Sequence, residues 1–157
     1  MNIQFIAVGK PHDLYLKEGV DAFTRRITNY FVVQWILVPP LKNAASFQPA
    51  ELKKKEAEAL LKLIQKEDYV IALDEKGRPY NSVQFARLIQ DKADSSVKTI
   101  SFVIGGAFGL HDSLLQRANL LLSLSAFTFP HQLVRLILAE QVYRACTIQR
   151  NEKYHHS

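Results

Sequence analysis

Two loops in the last third of the chain carry the residue types that could hold a small molecule. Gly105-Gly106-Ala107-Phe108-Gly109 follows an apolar run ending at Ile104, and Ser123-Leu124-Ser125-Ala126-Phe127-Thr128-Phe129-Pro130-His131 follows another. Glycines let a ligand approach the backbone closely, or make a tight turn. The Gly-x-Gly-x-x-Gly spacing of a dinucleotide cradle is absent, and the run follows the fourth strand rather than the first. In the second loop, Leu124, Phe127 and Phe129 could wrap an aromatic ligand such as an adenine ring, with main-chain groups fixing its orientation. The competing reading has the aromatics packing the core, Thr128 capping the next helix and proline opening it. The end of the chain, Tyr154-His155-His156, offers a ring that stacks on a base and imidazoles that exchange protons near neutrality. A terminus of that kind is also the usual place for a frayed, solvated end.

These residues need a scaffold, and the apolar pattern supplies one. Five short runs read as strands: Asn2–Val8, Val32–Val38, 69–73, 98–104 and 120–124. Helical patterns alternate with them over 13–30, 49–66, 81–93, 111–118 and His131–Gln149. That alternation predicts an α/β domain, a mostly parallel sheet with helices on both faces. Asp13 is expected to cap the first helix and Asn81 or Ser82 the third. Gly77-Arg78-Pro79 is expected to break the chain after the third strand, and Pro39-Pro40 to end the second. Residues 41–48 show no periodicity and read as a surface loop. In an open α/β sheet, ligands bind beyond the carboxyl ends of the strands, which is where both special loops fall. The final helix is apolar on most sides, through Leu133, Val134, Leu136, Ile137, Leu138, Val142, Ala145 and Ile148. It must be buried on most sides, one against the sheet and another against a second copy of the chain, so a homodimer is expected. Glu140 and Arg144 stand i,i+4 in the favourable order for an ion pair.

Composition sets the outer bounds. With 157 residues, 48% of them hydrophobic, the chain holds one domain spanning 1–157. Twenty basic residues against 15 acidic ones leave a net charge of +5. That suits an anionic partner such as nucleic acid without requiring one. The single cysteine, Cys146, excludes an internal disulfide framework and a cysteine-based metal site, and in an apolar helix it reads as a small buried hydrophobe. No histidine has a partner at metal-ligand spacing, so no metal is expected. No apolar run approaches a membrane span, and Met1 leads straight into the first strand without a basic leader. A cytoplasmic protein is the expectation.

Taken in order, Ala7-Val8-Gly9-Lys10, Phe102-Val103-Ile104-Gly105-Gly106 with Gly109-Leu110, Leu122-Ser123-Leu124-Ser125 with Thr128-Phe129-Pro130-His131, Glu140-Gln141-Val142-Tyr143-Arg144-Ala145 and Tyr154-His155 resemble the RlmH type of SPOUT methyltransferase over essentially the whole chain. The resemblance implies an α/β fold with a C-terminal trefoil knot, and a homodimer with its active site at the subunit interface. It implies methylation, from S-adenosylmethionine, of N3 of a pseudouridine in 23S ribosomal RNA within the ribosome. The implied cofactor contacts are Leu73, Gly105, Leu124, Ser125, Ala126, Phe127, Thr128 and Phe129. The implied contacts to the RNA base are Tyr154 and His155, with Arg144.

Methyl transfer from a sulfonium needs alignment more than activation. N3 of a neutral pseudouridine carries a proton that must leave, and His155 is the first candidate for the general base. Arg135 or Arg144 would serve instead by favouring the anionic form of the base. The rival reading is a non-catalytic ribosome- or RNA-binding module on the same scaffold. A nucleotide-binding oxidoreductase is opposed by the missing first-strand glycine fingerprint.

Overall fold

The strands are built from residues that alternate between two apolar faces, so helices cover both sides of one sheet. The computed structural model describes residues 1–156. Its elements are β1 (Asn2–Val8), α1 (Leu14–Ile27), β2 (Val32–Val38), α2 (Pro49–Leu61), β3 (Tyr69–Pro79), α3 (Ser82–Ala93), β4 (Thr99–Ile104), α4 (Asp112–Arg117), β5 (Leu120–Ser123) and α5 (His131–Gln149). These strands pair in parallel throughout, in the order β2-β1-β4-β3-β5.

Ile3, Phe5, Ala7, Ile71, Ile100, Phe102, Ile104 and Leu122 point to one side. There they meet Ile27 of α1, Phe85 and Ile89 of α3, and Leu138, Val142 and Cys146 of α5. Ile6, Val8, Val70, Ala72 and Val103 point to the other, against Ala57 and Leu60 of α2 and Leu114 of α4. Phe5 lies at the centre of the first layer, stacked on Trp35 at 4.5 Å and on Phe102 at 5.5 Å between ring centroids. Removing a ring from such a site costs about 3–5 kcal/mol.

Local expectations fare unevenly. Asn81 caps α3 in a full capping box, accepting from Gln84 N at 2.8 Å while Gln84 Oε1 accepts from Asn81 N at 3.0 Å. Asp13 precedes α1, but its side chain makes no cap bond; only its carbonyl accepts, from Leu16 and Lys17. The helix expected over 49–66 stops at Leu61, and residues 41–48 contain a single 3-10 turn over Ala44–Ser46. Thr128 does not cap α5, whose N-cap is Pro130.

The largest difference lies at Gly77-Arg78-Pro79, which does not break the chain but continues β3. Leu73 and Arg78 both pair with Leu122, so residues 74–77 are thrown out of the ladder as a bulge before Pro79 pairs with Ser123. Gly77 is required there. A Cβ would fall 2.7 Å from the carbonyl carbon of Leu121 and 2.8 Å from Leu122 N, main-chain atoms that cannot yield.

Candidate active site

The carboxyl ends of β3, β4 and β5 open into one cavity of about 740 Å³, a volume suited to a small-molecule ligand. Each wall has a local cause. The β3 bulge turns Asp74, Glu75 and Lys76 into it, with Lys76 N donating to Asp74 Oδ1 at 2.9 Å. After β4 the chain makes a tight reversal: Gly109 N donates to Gly106 O at 3.1 Å, and Gly109 adopts φ +81°. Gly105 is pinned inside this reversal, where a Cβ would meet Gly109 main chain at 2.8 Å. Behind Gly106 stands the Glu56 carboxylate, whose pKa is raised by burial. After β5, Leu124, Ser125, Phe127, Thr128 and Phe129 form the third wall. Ser125 Oγ accepts from Phe127 N at 3.0 Å and folds that loop.

Of the expected cofactor positions, Leu73, Gly105, Leu124, Ser125, Phe127, Thr128 and Phe129 line this cavity; Ala126 does not. Phe127 is 79% exposed and Phe108 53%, so these two of the loops' three aromatic rings are not core residues. That removes the core-packing explanation for Phe127. Both rings lie at the rim of the cavity, where they are available to a ligand. The bulge residues Asp74–Lys76 and Asp112 of α4, also lining the cavity, escaped the sequence reading. Their only signal was the charged run after an apolar strand.

The second group of expected residues forms a separate cluster on α5. Asn151 takes a left-handed conformation (φ 54°), so Glu152 N reaches Thr147 O and Asn151 N reaches Ile148 O. This is a Schellman turn with asparagine in the position usually held by glycine. It folds the tail back along the helix, and Tyr30 OH secures it by donating to the Glu152 carboxylate at 2.7 Å. Tyr154 then donates to Glu140 Oε1 at 3.0 Å, its ring lying 4.7 Å from the Arg144 guanidinium and edge-on to Tyr143 at 4.8 Å. Burial and the Glu140 hydrogen bond both raise the Tyr154 pKa. Arg144 pairs with Glu140 at 2.6 Å, a bond that raises its own pKa, and its Nη1 lies 3.3 Å from His155 Nδ1. The tail is a docked element, and the i,i+4 pair is its anchor. Within the chain, Tyr154 and His155 do not line the cavity.

Arg135 belongs to neither group. It is 0% exposed, donating from Nη1 to Lys10 O at 2.9 Å and from Nη2 to Val8 O at 3.4 Å, with Nη1 3.2 Å from His12 Nδ1. Together with Gln132, whose Oε1 accepts from Asp13 N at 3.3 Å, it clamps the loop after β1. Gly9 sits over it at φ +129°.

Comparison with known proteins defines the family to which this fold belongs. The family described as "Predicted SPOUT methyltransferase" matches residues 1–155. Proteins from Cytophaga hutchinsonii and Exiguobacterium sp., both named "Ribosomal RNA large subunit methyltransferase H", are 42% and 44% identical to this chain. The alignments cover 99% of this chain, with 100% of the first relative and 99% of the second. Among solved structures, a probable methyltransferase from Bordetella pertussis Tohama I superposes with a TM-score of 0.59 at 16% identity, over 92% of this chain and 93% of that one. A tRNA (m1G37) methyltransferase from Aquifex aeolicus superposes with a TM-score of 0.53 at 12% identity, over 92% and 70%. The chain belongs to the SPOUT methyltransferase family, and its parallel α/β sheet is the one expected from the strand–helix alternation; the C-terminal trefoil knot is the fold that the family resemblance implied.

Proposed function

We propose that this protein transfers a methyl group from S-adenosylmethionine to N3 of a pseudouridine in 23S ribosomal RNA, acting on the assembled ribosome in the cytoplasm. The observation that carries the reading is the cavity at the carboxyl ends of β3, β4 and β5, lined by the glycine reversal and the exposed Phe127 loop. The names of its relatives supply the ribosomal RNA. S-adenosylmethionine provides a methyl group already activated on a sulfonium, so the protein has to bind and orient rather than activate.

The wall fits that ligand. Leu73, Leu124 and Phe129 offer apolar surface for an adenine ring, and the absence of a side chain at Gly105 lets the ligand lie against the main chain. The carboxylates of Asp74, Glu75 and Asp112 face a group that carries an ammonium and a sulfonium, while Lys53 and Lys76 suit its carboxylate.

Tyr154 and His155 meet the target base, with Arg144 beside them as the cation that favours its anionic form. Arg135 does not suit that part, since its guanidinium is engaged by the Lys10 and Val8 carbonyls beneath the surface. Because cavity and tail are separate within one chain, the site is completed in a homodimer, the cavity of one subunit facing the tail of its partner. The half-buried Leu133, Leu136 and Ile137 of α5, with the exposed Phe127, supply apolar surface for that contact.

Calorimetric titration with S-adenosylmethionine tests the reading. Saturable heat at one site per chain is expected. Absence of binding by folded protein, alone and with ribosomes, points to a non-catalytic ribosome-binding module instead.

A further inference from the structure

Glu140 carries more hydrogen bonds than an ordinary helical ion pair. Its Oε1 accepts from Arg144 Nε at 3.0 Å, Arg144 Nη2 at 2.6 Å and Tyr154 OH at 3.0 Å. Its Oε2 accepts from Gln141 Nε2 at 2.9 Å. Two of the three guanidinium nitrogens of Arg144 are thereby fixed, and the Tyr154 ring covers the guanidinium at 4.7 Å. The remaining nitrogen, Nη1, is left facing His155 Nδ1 at 3.3 Å.

A guanidinium has donors only. The imidazole nitrogen opposite it must therefore present a lone pair, and the ring proton of the neutral form resides on Nε2. We propose that Glu140 is a positioning residue: it holds Arg144 against Nδ1 of His155, setting the ring as its Nε2–H tautomer, so that His155 meets the target base as a hydrogen-bond donor. The proposal rests on the reading that this tail contacts a pseudouridine, and it replaces the expectation of His155 as general base. The same arrangement recurs on α5, where Arg135 Nη1 faces His12 Nδ1 at 3.2 Å.

The donor role has a definite place in the chemistry. The N3 proton leaves to water, and the electron pair left on the ring is shared with the two carbonyl oxygens flanking N3. The Nε2–H of His155 donates to one of these oxygens and stabilises that anion. The N3 pair then bonds to the methyl carbon as the carbon–sulfur bond breaks. Its electrons pass to sulfur, which leaves as a neutral thioether. No proton is taken up by the protein.

Nitrogen NMR of imidazole-labelled, full-length protein reads the tautomer directly, with the His155 signals assigned by their loss in His155→Gln. The expected result is an unprotonated Nδ1 and a protonated Nε2 in the neutral ring. Glu140→Ala should collapse this to the mixed tautomers of a free imidazole, and Glu140→Gln, which keeps an acceptor for Arg144, should restore it in part. A proton on Nδ1 overturns the proposal whatever the enzyme's activity.

Single-turnover methylation of ribosomes supplies the second arm. His155→Gln, whose amide donates but takes up no proton, should stay within about tenfold of the unaltered protein. His155→Ala should lose about 100-fold, the usual effect of removing one donor to a developing oxyanion. Equal losses in the two variants overturn the donor role, and so does the absence of loss in both. Failure of the unaltered protein to methylate ribosomes overturns the functional reading itself and is seen without any variant.

Discussion

The ring of His12 stands edge-on to the single tryptophan, Trp35, with centroids 5.0 Å apart and planes at 83°. Burial, then the charge of Arg135, lowers the His12 pKa from its ordinary 6.5. The folded value thus lies below the unfolded one. The stability this site contributes is complete above pH 6.5 and is lost as pH falls through the folded value. A protonated imidazole quenches a neighbouring indole, so Trp35 fluorescence should fall on acidification with a midpoint below 6.5. His12→Gln should abolish that step. A midpoint at or above the ordinary histidine value would contradict the account.

The glycine reversal separates two substitutions that look alike in the sequence. A Cβ on Gly105 meets Gly109 main chain at 2.8 Å, whereas one on Gly106 meets the end of the Glu56 side chain at 2.9 Å. Main chain cannot move aside, and a glutamate can. Gly105→Ala should weaken S-adenosylmethionine binding by about tenfold or more, equivalent to about 1.4 kcal/mol, and Gly106→Ala by much less. Calorimetry on the two variants decides it; equal losses would show that the reversal does not shape the cavity.

Cys146 lies wholly inside α5 and burial pushes its thiol up to about 12, while Tyr30, desolvated and bonded to Glu152, also rises to about 12. Both folded values exceed the unfolded ones, so their contribution to stability is complete below pH 9 and is lost as pH climbs toward 12. The urea midpoint should hold steady up to pH 9 and decline above it, less steeply in Tyr30→Phe. Native protein at neutral pH should leave Cys146 unlabelled by thiol reagents except through unfolding. Rapid labelling would mean that α5 is not packed as described.

Separation of the cavity from the tail predicts complementation between damaged subunits. At S-adenosylmethionine concentrations well below the Kd of Gly105→Ala, that substitution cripples the cavity, and His155→Ala cripples the tail. Random re-pairing of the two variants gives mixed dimers with one intact site, restoring about a quarter of the unaltered rate if each site draws on both subunits. No recovery after mixing would place both halves of the site in one chain.

Most of the scaffold was legible in the sequence because strands and helices are written in local periodicity. The cavity was legible for the same reason: Gly105 and the 124–129 loop each follow an apolar strand in an alternating α/β chain. What escaped notice depends on distant partners. Gly77-Arg78-Pro79 has the composition of a turn, and only the approach of β5 shows that it resumes a strand. Arg135 reads as a charge available for chemistry, because its acceptors, the carbonyls of Val8 and Lys10, have no signature in side-chain types. The docking of Tyr154 follows from a left-handed Asn151 and from Glu140, residues that look unremarkable where they stand.

The most direct measurement is transfer of labelled methyl from S-adenosylmethionine to purified ribosomes, followed by mapping of the modified nucleotide. The account predicts a single label on N3 of a pseudouridine in 23S ribosomal RNA, formed about 100-fold more slowly when His155→Ala replaces the unaltered protein. Label on another base, or none with protein shown to bind S-adenosylmethionine, would contradict it.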